Sequence, residues 1–244
     1  MPETFKRIES YYAGAYWGPR KETPEECARR AEVFLTSIAS VDPAFSRWFE
    51  GGRSRKDALK RPIESSGEAL AKRVRRGRDR QFEELGYSVG AWNGAPDDYD
   101  ASSFNFNCGG YSEGQANRCV VDLPTRGPNA ERVLSVPILI GLVRSMVLAW
   151  EPASAIATSS MLREAVTPIG RAGTFVGWVM YFPHSRGMIP SLPSPVRMEP
   201  VEDKGTLIVL TPERLTTEKP EHVELGQLVH ELLNKAGLLR PVVS

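Results

Sequence analysis

Histidine and cysteine are scarce in this chain, with three of each among 244 residues. The histidines (His184, His222, His230) and cysteines (Cys27, Cys108, Cys119) form no HxxxH, HExxH or Cys/His pairing, which removes the common zinc patterns. An odd number of cysteines at unrelated spacings argues against a disulfide framework and for a reducing compartment. Long apolar runs are missing too. The most hydrophobic stretch, VPILIGLVRSMVLAW at 136–150, falls short of the roughly 20 residues a bilayer requires, and Arg144 interrupts it. The opening MPETFKRIES lacks the apolar segment of a secretory signal. Neither sign of charge dominates: 31 Lys/Arg face 30 Asp/Glu, so no global field draws in nucleic acid or an anionic membrane. Repeats and low-complexity tracts are absent. These absences lead us to expect a cytoplasmic protein with no membrane partner, metal or cofactor, folded as a single domain over residues 1–244.

What is present is an apolar periodicity that alternates between strand and helix. ESYYAGAYW (9–17) predicts an aromatic-rich strand. Cys27/Ala28, Ala31, Phe34/Leu35 and Ile38 recur at helical spacing and predict a helix over 24–39. A short helix from Pro43 to Phe49 would present Phe45, Trp48 and Phe49. Residues 54–84 read as charged helix in two pieces, broken around Pro62 and Ser65-Ser66-Gly67. Strands are expected at 87–92, 102–108 and 118–123, the second alternating Phe104, Phe106 and Cys108 with polar residues. The apolar 136–150 is expected to be a buried helix stopped by Glu151-Pro152, followed by strands at 154–158, 174–182 and 206–211. HSRGMIPSLPSPVRMEP, with four prolines between 190 and 200, reads as an extended loop. A closing helix from about Pro220 to Ala236 would bury Leu225, Leu228, Val229, Leu232, Leu233 and Ala236. His222 and His230 would then lie on its polar side and Gly237 just past its end. Strands clustered between helices, without regular βαβ alternation, indicate an α+β fold: a mixed, mainly antiparallel sheet packed against helices.

Thr23-Pro24-Glu25-Glu26 has the form of a capping box with proline at the first helical position. Arg20 and Lys21 beside it could help hold an anion, but Glu25 and Glu26 already complement the helix dipole, so the joint reads as a structural corner. Two G-x-S-x-G matches centre on Ser88 and Ser112. A nucleophile elbow needs an apolar strand before the serine and a helix after it, and neither match has both, which leaves Gly-rich turns. Cys108 could be drawn as a thiolate nucleophile but reads as a small buried strand residue. Pro96-Asp97 with Glu202-Asp203-Lys204 imitates a nuclease motif split by over a hundred residues, a chance match. No catalytic residue is assigned.

Charge is concentrated in two places. Residues 53–80 hold eleven Lys/Arg against four acids, a patch able to meet phosphates, most directly through Arg73, Arg75, Arg76 and Arg78. No aromatic residue is interleaved to stack bases, and a charged helix face is ordinarily just solvated, so direct nucleic-acid binding is the lesser reading. The acidic turn Asp97, Asp98, Tyr99 and Asp100 is the candidate contact with a protein partner, since tyrosine gives contact area at low entropy cost.

The run YYAGAYWGPRKETPEECARRAEVFLTSIASVDPAFSRWFEGG, followed by SRKDALKRPIE, resembles the start of the immunity protein 52 family. AWEPASAIATS and GTFVGWVMYF fall where that family's second half places them, and the resemblance is densest over residues 9–64. Tyr16, Trp17, Gly18, Pro19 and Arg20 match its signature without carrying a known role. The resemblance implies a bacterial cytoplasmic protein encoded beside a polymorphic toxin, such as a type VI secretion effector. Such a protein neutralises its toxin, frequently a restriction-endonuclease-type nuclease, by binding it. It implies a binder and no enzyme.

Overall fold

The first strand lies in the middle of the sheet. The computed structural model describes residues 8–243; residues 1–7, most of the segment considered for a secretory signal, and Ser244 lie outside the described residues. In chain order come β1 (Tyr11–Trp17), α1 (Pro24–Ala39), α2 (Arg55–Ala58), α3 (Gly67–Arg76), β2 (Tyr87–Trp92), β3 (Ser103–Cys108) and β4 (Asn117–Leu123). They are followed by α4 (Pro128–Val133), α5 (Val136–Trp150), β5 (Ser154–Ser159), α6 (Ser160–Val166) and β6 (Val179–Pro183). The hairpin β7 (Arg197–Val201) and β8 (Gly205–Val209) and the helix α7 (Pro220–Lys235) close the chain. The eight strands form one sheet in the order β2-β3-β4-β1-β5-β6-β8-β7, antiparallel at each pairing. The expected α+β class holds.

Register explains the core. Ala13 faces Val121, which faces Phe104, and Phe106 faces Cys119, so alternate residues of β1, β3 and β4 form one apolar surface. α1 and α5 lie on it. Trp150 at the end of α5 stacks on Trp17 at 5.2 Å, Phe106 lies 5.2 Å from Trp150, and Phe34 of α1 meets Phe104 edge-on at 6.4 Å. Phe45 and Trp48 enter the same cluster from a short 3₁₀ turn, Pro43–Phe45, where a longer helix was expected. β1 is buried along nearly its whole length, which is why its sequence does not alternate with polar residues.

The sheet's other face is covered over β5 by α6 and by the segment around Gly177, where a Cβ would fall 2.7 Å from Ile156 and Thr158. Across β2, β3 and β4 the same face is polar and open, laced by Ser103 donating to Asp122 (2.7 Å) and Arg118 donating to Asn107 (3.2 Å).

The corner after β1 is structural, as expected. Thr23 N donates to the Glu26 carboxylate at 2.7 Å and Glu26 N returns a bond to the Thr23 hydroxyl at 3.2 Å. Arg20 beside it and Arg30 on α1 serve a second helix: Arg20 donates to the Trp150 carbonyl and Arg30 to the Ala149 carbonyl, each at 3.0 Å, with Glu22 ion-paired to both arginines. α5 has no basic residue in its own last turn, so these imported cations satisfy its free carbonyls and dipole.

Several expectations are corrected. The strand expected at 174–182 begins only at Val179, and the proline-rich 184–200 ends in β7. The second charged piece is helical only over α3, and α4 and α6 are short helices that the sequence pattern did not announce. α7 is turned from its expected face: His222, Gly226, Val229 and Leu233 are buried, while Leu228 is 45% exposed. His222 is no polar-face residue, because its Nδ1 accepts from Thr216 N at 3.2 Å. No helix among the described residues is long and apolar enough to cross a membrane.

Candidate partner-binding site

The acidic turn between β2 and β3 is held from three directions. Asp97 accepts from Tyr99 N at 2.9 Å through its side chain and closes a 3₁₀ turn over Asp98–Asp100. Asp100 reaches across the chain to α4, where its carboxylate accepts from Asn129 N at 2.8 Å and Ala130 N at 3.2 Å. It thereby caps a helix whose own N-cap, Gly127, has no side chain. Gly127 has φ +100°, and a Cβ there would lie 2.7 Å from the Asp100 Cγ, so glycine suits both the backbone and the approaching cap. The Tyr99 carbonyl accepts from Thr125 N at 2.8 Å and Arg126 N at 3.2 Å, and the Arg126 guanidinium lies 3.6 Å over the Tyr99 ring.

The four residues divide accordingly. Asp100 is occupied with α4 and Asp97 partly with its own turn. Tyr99 is 43% exposed, and Asp98 is exposed with no ionic or hydrogen-bonding partner for its carboxylate among the described residues. Asp98 and Tyr99 therefore form a rigid, solvent-facing acidic knuckle.

Six of the eleven bases in the basic stretch are paired with carboxylates of the same chain. Arg73 and Arg76 both pair with Glu50, Arg75 pairs with Glu25, Arg78 with Glu83 at 2.9 Å, Arg61 with Asp57 at 2.9 Å and Lys72 with Glu68 at 2.8 Å. Burial pulls the Arg73 guanidinium below the usual arginine value, against the opposing pull of Glu50. All four arginines named for phosphate binding thus have carboxylate partners, which removes the main support for a nucleic-acid surface there.

Of the nucleophile candidates, Ser112 lies outside the strands and Cys108 is a buried strand residue, as expected, whereas Ser88 lies within strand β2 and not in a Gly-rich turn. Ser88 is an exposed β2 residue accepting from Asn105 at 3.4 Å, and Ser112 lies in the β3–β4 connection. The histidines sit elsewhere, on the connection after β6 and on α7. Cys108 is fully buried, and burial, together with the neighbouring Cys27 and Glu22, pushes its thiol well above the usual cysteine value. The two halves of the nuclease-like motif lie at opposite sides of the sheet, after β2 and in the β7–β8 turn. No group of three or more His, Cys, Asp or Glu among the described residues could hold a metal ion.

The chain belongs to the immunity protein 52 family, whose model matches residues 9–242. No curated protein matches it. Among solved structures it is similar to the Pseudomonas aeruginosa T6SS protein PA0821, at 13% identity and a TM-score of 0.54. That match covers 96% of this chain and 74% of the other, and the likeness shows the fold.

Proposed function

We propose that this chain is an immunity protein that binds and neutralises a cognate secreted toxin by stoichiometric occlusion, making and breaking no bonds itself. The observation that carries the reading is the family match, which runs over nearly the whole sequence. The toxin in this reading is a type VI effector with a restriction-endonuclease-type nuclease domain; the T6SS name of the structural neighbour is in keeping with that. Residues 1–244 act as one immunity-protein domain in the cytoplasm, where such a toxin would strike.

The acidic knuckle is the part of the surface assigned to contact. A nuclease cleft is basic where it holds phosphates, and a carboxylate fixed beforehand meets it with little ordering cost. A specific interface needs about 800 Å² on this side, so Asp98 and Tyr99 would be one part of it.

The test is co-expression with the product of the neighbouring gene. The expected result is rescued growth and a stoichiometric complex on size exclusion. Asp98→Lys with Tyr99→Ala should weaken that complex by about tenfold or more, while Asp97 and Asp100 are left in place to preserve the turn. Unchanged affinity in the variant removes the knuckle from the interface; absence of both rescue and complex removes the immunity reading.

A further inference from the structure

The positive charge of residues 53–80 is unevenly neutralised. On α3 each arginine has a carboxylate partner, whereas around α2 the side chains of Arg53, Arg55, Lys56 and Lys60 have none among the described residues. Arg55 spends one N–H on the Gly94 carbonyl at 3.1 Å and keeps the rest of its guanidinium available. Arg47, which lies outside the basic stretch, is also exposed and lacks an acid partner among the described residues; its guanidinium lies 5.5 Å over the Phe49 ring.

Arg47 and Arg55 line the same groove, about 420 Å³ in volume, with Phe49, Leu59 and Pro96 among its walls. No acidic side chain among the described residues lines it. A third arginine there, Arg132, is already neutralised by the buried Asp42, which it grips with two bonds of 2.6 and 2.9 Å. What remains is two planar, uncompensated guanidinium groups in a groove lined by polar groups with Phe49 and Leu59 among them, a setting suited to a carboxylate taken up by charge-assisted, forked hydrogen bonds. The rim has the opposite sign, because Pro96 leads directly into Asp97 and Asp98.

We propose that this groove receives an acidic segment of the cognate toxin. A toxin Asp or Glu would enter between Arg47 and Arg55 while a basic toxin residue meets Asp98 on the rim. The inference rests on the immunity reading above and deepens it by naming the chemistry the toxin must present. Polypeptide is favoured over nucleic acid for two reasons. The acids on the rim repel a continuous polyanion, and Phe49, the aromatic residue that lines the groove, is only 4% exposed and offers little face for stacking bases.

The experiment measures the affinity of the purified chain for the neighbouring-gene product at low and high salt. Wild type is compared with Arg47→Glu/Arg55→Glu, with the milder Arg47→Gln/Arg55→Gln, and with Arg171→Glu on a distant exposed turn as control. Charge reversal should weaken binding by about tenfold or more and flatten its salt dependence, the glutamine pair should lose part of that, and the control should stay within about twofold. If thermal melting shows that the reversal variant misfolds, the glutamine pair decides the question. Wild-type affinity in a folded double variant overturns the groove and leaves the immunity reading standing. Failure of the wild-type chain to bind overturns both. Duplex DNA or RNA retained by the wild-type chain and released by the double variant would assign the groove to phosphate and overturn the polypeptide assignment.

Discussion

The two edges of the sheet are closed by different means. At β2 the chain itself folds back: Phe49 and Trp92 exchange backbone bonds of 2.8 and 3.1 Å, Ser88 N donates to the Gly77 carbonyl at 2.8 Å, and Asp79 N donates to the Gly86 carbonyl at 3.1 Å. Between these bridges Arg73 of α3 donates to the Gly90 carbonyl at 2.7 Å. At β7 no chain folds over among the described residues. Pro200 removes one donor, and Arg144 of α5 takes the Pro200 carbonyl at 3.1 Å. An open strand edge is a template for unwanted pairing, and both edges are blunted, one by covering and one by composition. With neither edge offering a full row of free peptide groups, a partner must be recognised through side chains on loops, as the acidic knuckle and the arginine groove would do.

The sharpest way to break this comparison is Gly77→Ala. The backbone of Gly77 is unexceptional, with φ −82°, but an added Cβ would lie 2.0 Å from the Ser88 carbonyl oxygen and 2.9 Å from its carbon. Backbone atoms cannot rotate aside, so the bridge must part, at an expected cost of about 3 kcal/mol in urea unfolding. The Ser88 amide should lose hydrogen-exchange protection at the same time. A loss under about 0.5 kcal/mol, the ordinary scale of surface changes, would show that the covering chain contributes little to this edge.

Arg73→Ala comes next. Its side chain is 14% exposed, and its removal frees the Gly90 carbonyl while leaving Glu50 to Arg76, which bonds it at 3.0 Å but is 68% exposed. We expect a loss of about 2 kcal/mol by the same measurement, between the cost of one neutral hydrogen bond and that of a broken buried pair. Arg73→Lys should recover only part of it, because one ammonium cannot reproduce the forked contact to Glu50 and Gly90.

Much of the fold could be read in advance where periodicity is strong and local. Cys27, Ala28, Ala31, Phe34, Leu35 and Ile38 are the residues α1 buries, and Phe104, Phe106 and Cys108 point inward from β3 as their alternation requires. The failures have physical reasons. β7 was hidden because Pro200 argues against a strand unless it lies at an edge, and edge position is a property of the whole sheet. α7 turned because Gly226, which contributes nothing to an apolar pattern, packs toward α6, where a Cβ would meet Val166 at 3.1 Å. In the candidate site the charges were visible but their partners were not. Asp100 caps a helix 29 residues away, and Arg73 and Arg75 find Glu50 and Glu25 on segments that only the fold brings near. Arg47 and Arg55 stand out only once those pairings have been subtracted.

Arg144→Ala should have the smallest effect on stability and the most informative one on solubility. In the sequence Arg144 interrupts an apolar helix; in the fold it reaches from α5 to the outer edge of β7, with its side chain 35% exposed. Because water can reach the released Pro200 carbonyl, the loss should be about 0.5–1 kcal/mol, the range of a single hydrogen bond net of solvent exchange. The freed carbonyl does extend the row of unpaired groups along β7, so light scattering should show self-association rising with concentration. Pro200→Val in the same background should raise it further by restoring a donor. If Arg144→Ala instead costs as much as Arg73→Ala, the two arginines play equal parts and the edges do not differ in kind. If scattering stays flat in the double variant, the charges of Arg197 and Glu199 alone are enough to keep β7 from pairing.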